Sequence, residues 1–70
     1  MKVHIGGIHN KTDAHAIWYD LTTHRVLKGG WPVQDIFGYN VDSIEEAKVM
    51  LAAHYKNTDW TFKEDSRAND

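Results

Sequence analysis

The chain contains no cysteine, so it has neither a disulfide nor a thiolate to act as nucleophile or zinc ligand, and a reducing compartment suits it. No apolar run approaches the roughly 20 residues of a membrane span. The opening Met1-Lys2-Val3-His4-Ile5-Gly6-Gly7 lacks the apolar stretch of a signal peptide. A soluble, cytoplasmic protein without membrane contact is the expectation. There is no Gly-Lys-Ser/Thr run to hold a nucleotide and no His-Glu-x-x-His run to anchor zinc. Internal repeats and low-complexity tracts are also missing.

What remains is small. Seventy residues make one domain, and a chain of this length buries only about 60 to 65% of the surface its unfolded form exposes. Its aliphatic and aromatic side chains must therefore supply nearly all of its stability. With an initiating methionine and no visible tag or linker, the chain reads as a complete gene product, and free-standing domains of this size serve as regulators, inhibitors or subunits.

Net charge is −2, but its distribution is uneven. Residues 1 to 34 carry four cations (Lys2, Lys11, Arg25, Lys28) against Asp13 and Asp20, whereas residues 35 to 70 carry four cations against eight carboxylates. His4, His9, His15 and His24 also lie in the first half and add positive charge near and below the ordinary imidazole pKa. Such a bipolar surface favours oriented docking on a charged protein partner over wrapping of nucleic acid.

The clearest local signal is Asp42-Ser43-Ile44-Glu45-Glu46-Ala47, where a serine followed three residues later by glutamate matches a capping box. It predicts a helix from Ile44 to about Lys56, with Ile44, Ala47, Leu51 and Tyr55 on one face and Asn57 as a left-handed cap. Val3 and Ile5 alternate with polar neighbours as a first strand, after which Gly6-Gly7 marks a bend, a bulge or a close backbone approach. Asn10 to Asp13 is turn chemistry. From Ala14 to Leu21 two faces alternate, one holding Ile17 and Tyr19 and the other Trp18, so Trp18 is expected on the side the helix leaves uncovered. Asp20 to Arg25 reads as a hairpin loop, Val26-Leu27 as a third strand, residues 36 to 41 as a short edge strand or extended lead, and Trp60 with Phe62 as a final strand. The expected fold is α+β, a mainly antiparallel sheet of three or four strands with one helix on a face, in the order β-β-β-α-β. The domain is expected to span residues 1 to 63, with a polar disordered tail from 64 to 70.

No arrangement of residues spells out a reaction. Five histidines raise the question of zinc, but their spacing does not converge three imidazoles, so no metal or cofactor is expected. His24 with Asp20, or His15 with Asp13, could be paired beside a threonine hydroxyl. Turn chemistry explains those residues, and a domain this small has little concave interior in which to tune them, so catalysis is not expected. Gly6-Gly7 and Gly29-Gly30 precede no helix and form no phosphate cradle. Nucleic-acid binding through Lys2, Lys11, Arg25 and Lys28 with Trp18, Tyr19 and Trp31 is the weaker alternative, because the chain's net negative charge works against counterion release.

The eight aromatics are many for so small a core. Trp31, Phe37 and Tyr39, on the loop after Gly29-Gly30, are therefore assigned to a partner-binding patch, with Trp18, Arg25 and Lys28 as further contacts. The expected protein is a non-enzymatic regulator or inhibitor of the viral or mobile-element kind, monomeric or weakly homodimeric. Its expected partner is a larger host protein machine, RNA polymerase or the transcription apparatus first and a defence complex next.

Overall fold

The computed structural model describes residues 1 to 65. The elements run β1 (Lys2–His9), β2 (Ala14–Asp20), β3 (Val26–Lys28), β4 (Gln34–Asp35), α1 (Ile44–Tyr55) and β5 (Thr61–Glu64). Among the described residues all pairings are antiparallel, in the spatial order β4-β3-β2-β1-β5, which gives a five-stranded sheet with one helix. The α+β class holds, with β4 as a two-residue addition to the expected strands. No helix among the described residues is long and apolar enough to cross a membrane.

Local chemistry accounts for the turns. Asn10 Oδ1 accepts from the backbone N–H groups of Thr12 and Asp13, at 2.9 and 2.8 Å, and closes the β1–β2 hairpin. Asp20 Oδ1 does the same for Thr22 and Thr23 in the β2–β3 turn, where His24 adopts φ 61°. These N–H donors hold the Asp20 carboxyl below its ordinary pKa.

Gly6-Gly7 marks both a bulge and a close backbone approach, and β1 runs on past it. The strand continues to His9 through a β-bulge, since His4 pairs with Trp18 but Gly6 with Ile17, leaving Ile5 as the extra residue. Gly6 is needed for a further reason. A Cβ there would stand 2.5 Å from the Lys63 carbonyl, so only glycine lets β5 lie against β1.

Strand alternation puts Ile17, Tyr19 and Val26 on the helix side, where they join Ile5, Ile8, Val41, Ala47 and Leu51 in one buried cluster. The helix begins as expected, with Ser43 Oγ accepting from the Glu46 N–H at 3.1 Å.

Three expectations on boundaries are corrected. The edge strand is Gln34–Asp35, not residues 36 to 41, because Asp35 Oδ1 accepts from the Gly38 N–H at 3.0 Å and Gly38 turns the chain at φ 79°. Asn57 is not a left-handed cap. Lys56 stays right-handed at φ −56°, and Thr58 closes the end, its N–H and Oγ1 both donating to the Tyr55 carbonyl at 3.2 and 3.0 Å. Glu64 belongs to β5, and the Asp65 N–H donates to the Ile5 carbonyl at 2.9 Å, so the sheet takes in the start of the segment expected as tail. Residues 66 to 70, the rest of that segment, lie outside the described residues.

Candidate docking surface

Between β3 and α1 the chain makes a long excursion fixed at several points. The Gly29 N–H donates to the Ala16 carbonyl at 2.8 Å and the Ile36 N–H to the Val26 carbonyl at 2.9 Å. The Arg25 guanidinium meets the Asp35 carboxylate at 2.8 Å. The Val41 N–H donates to the His24 carbonyl at 2.8 Å, and the buried Tyr19 hydroxyl donates to the Val41 carbonyl at 2.6 Å. Burial raises the Tyr19 pKa, and the charges of Asp42 and Glu46 push it the same way.

Aromatic rings fasten the same loop to the helix. Tyr39 lies 5.9 Å from Phe37, Phe37 stands edge-on to His54 at 5.3 Å, and His54 stands edge-on to Tyr55 at 4.7 Å. Tyr55 is itself raised in pKa by burial. Phe37 and Tyr55 pack on the core cluster, whereas Tyr39 and His54 are exposed.

On this tethered frame, Trp31 is 98% exposed, the largest side-chain type presented to water on all sides. It precedes Pro32 through a cis peptide bond. Tyr39 and Val33 are about half exposed, at 53% and 49%. A tryptophan left uncovered by its own fold, on a backbone that is pinned before and after it, is the geometry of a preorganised anchor.

The sequence-assigned contacts separate into groups. Trp31 lies in the β3–β4 turn and Tyr39 in the β4–α1 connection, both exposed, whereas Phe37, beside Tyr39, is half-buried against the core. Trp18 lies on the sheet face away from the helix, edge-on to His4 at 5.1 Å, with its indole Nε1 next to Gly29 at the start of the Trp31 turn. Arg25 is occupied by Asp35. Lys28 is half-buried at the end of β3, opposite Gln34. The four basic residues of the first half form no single stripe, since Lys2 opens β1 and Lys11 lies beyond its far end.

Two features escaped the sequence reading. Val33 joins the exposed apolar surface, although only its place next to Pro32 hinted at that. A shallow concavity of 430 Å³ lies on the open sheet face, bounded by His4, His9, Ala14, Ala16 and Lys63 with Gly7 among its lining. The small residues at Gly7, Ala14 and Ala16, opposite the Ile17 and Tyr19 face, are the signal that could have located it. His4 Nδ1 is 2.6 Å from Asp65 Oδ2 at its rim. No three His, Asp or Glu among the described residues group as metal ligands.

Compared with protein-family models, curated proteins and solved structures, the chain matches none.

Proposed function

We propose that this protein is a non-enzymatic binding module that docks on a larger protein through Trp31, with Val33 in the same β3–β4 turn and the exposed Tyr39, beyond β4, as a further contact. The observation that carries this reading is the 98% exposure of Trp31 on a turn held between the paired strands β3 and β4. Exposing an indole gives a small fold nothing, whereas inserting it into a partner's apolar pocket supplies the buried anchor that dominates interface energies. The loop is already ordered, so little further conformational entropy is lost on docking.

The matching partner is a protein surface with an apolar cleft wide enough for an indole. The domain's size suits a regulator or inhibitor that blocks or redirects such a surface, and transcription machinery and defence complexes are the first assemblies to test. Nucleic acid is the less favoured partner, because Arg25 is paired and Lys2, Lys11 and Lys28 are dispersed.

A photo-cross-linking residue placed at Val33 tests the proposal. It is expected to capture a discrete protein from lysate, and the same residue at Ala53, on the exposed side of the helix, is not. Capture that is equal at both positions, or that persists unchanged when Trp31→Ala is added, would refute it.

A further inference from the structure

The opposite edge of the sheet carries a different surface. Among the described residues β5 pairs on one side only, with β1. A groove of 470 Å³ runs between this edge and the helix, with Val49, Ala52 and Phe62 as its apolar lining. Val49 is 70% exposed. Lys48 Nζ reaches Glu64 Oε1 at 4.0 Å across the groove and ties the helix to the strand.

The helix face beside this groove has an ordered composition. Glu45, Val49, Ala52 and Lys56 follow one another at spacings of four, three and four residues and so share one stripe, which reads acid, apolar, apolar, base. Turned end for end, the stripe complements itself. A two-fold axis between Val49 and Ala52 sets Glu45 against Lys56 of the partner subunit and Val49 against Ala52 of the partner subunit. Small side chains at the centre allow close approach of the two helices.

The strand edge has the same symmetry centre. Phe62 lies beside Ala52 at the middle of the groove. Because the Asp65 N–H bonds inward to Ile5, alternation directs the backbone groups of Phe62 and Glu64 outward. Two antiparallel registers then become available across a two-fold axis. One opposes Lys63 to itself, which like charge disfavours. The other pairs Phe62 with Phe62 of the partner subunit and places Lys63 against Thr61 of the partner subunit.

We infer that the α1–β5 edge is a homodimer interface, an isologous joint in which β5 pairs antiparallel with its copy and the Glu45–Lys56 stripes of the two helices lie against each other. A second copy is the occupant the charges select, since the stripe is complementary to its own reverse. The joint consumes the open edge and closes on itself. It lies at the β5 side of the sheet, away from β4 and the Trp31 loop, so the dimer presents two docking loops at its far ends and can bind bivalently.

Sedimentation equilibrium of the full chain over roughly 10 μM to 1 mM tests this. The wild type is expected to shift reversibly from monomer to dimer. Val49→Glu, at an exposed position, is expected to stay monomeric with an unchanged circular dichroism spectrum. Glu45→Lys and Lys56→Glu are each expected to weaken association by about tenfold, and the double variant to recover it, because the swap restores the complementary order. Trp31→Ala is expected to dimerise like the wild type, which keeps this test separate from that of the docking loop. A wild type that remains monomeric throughout the range overturns the inference. So does a dimer that survives Val49→Glu, a dimer that is lost with Trp31→Ala, or a double variant weaker than either single.

Discussion

The Tyr19 hydroxyl donates a 2.6 Å hydrogen bond to the Val41 carbonyl, joining the middle strand of the sheet to the connection that leads from β4 to α1. The bond is buried and spans 22 residues of chain, so it couples the order of that connection to the core. Tyr19→Phe removes the donor and leaves a buried carbonyl without its partner, a loss on the scale of one buried hydrogen bond. We expect faster hydrogen exchange at the Val41 amide and a lower thermal midpoint. A pH effect follows as well. The Tyr19 pKa is raised above its ordinary 10.0, so the stability tied to its neutral form is fully present below that value and is lost as pH rises through the folded value. Tyr19→Phe should flatten this alkaline loss, read as the thermal midpoint against pH.

Asp20 supplies the opposite limb. Its pKa is lowered first by the Thr22 N–H and then by the Thr23 N–H, so the stability tied to its charge is present above the ordinary value of 3.8 and is lost as pH falls through the folded value. Asp20→Asn keeps an oxygen acceptor but cannot titrate. Its difference in denaturation midpoint between roughly pH 6 and pH 2.5 should be smaller than that of the wild type.

Gly6 and Gly38 should respond differently to alanine. At Gly6 the new Cβ would sit 2.5 Å from the Lys63 carbonyl, so β5 must move off β1, with an expected loss of about 2 to 3 kcal/mol. Gly38 has open space around it, and only its φ of 79° resists the change, at about 1 kcal/mol. Urea denaturation of the two variants gives the comparison.

Ser43→Ala removes the oxygen that accepts from Glu46, and a loss of about 1 kcal/mol is expected. In a domain of this size that lowers the thermal midpoint by about 4 to 8 °C.

The parts of this fold that were legible are those whose cause is local. The Ser43 to Glu46 spacing located the helix start, Asn10 and Asp20 located turns through their own side chains, and alternation from Ala14 to Asp20 put Trp18 opposite the core. What escaped depends on partners distant in sequence. The continuation of β1 past Gly7 is set by β5 lying across Gly6, and the place of β4 by an Asp35 carboxylate that Arg25 and the Gly38 N–H share. Trp31 and Tyr39 could be singled out as candidates because the aromatics exceeded what the core could hold. That Phe37 would pack on the core while Tyr39 stays exposed could not be told, since its partners include His54, 17 positions further along the chain.

The exposed indole is the centre of the account, and the affinity of a stability-matched Trp31→Ala variant for the captured partner tests it most directly. With 98% of Trp31 in solvent, the variant should unfold within about 0.5 kcal/mol of the wild type. Its affinity should fall by about 30-fold or more, corresponding to a loss of about 2 kcal/mol. Equal affinity of the two proteins, with both fully folded, would contradict the account.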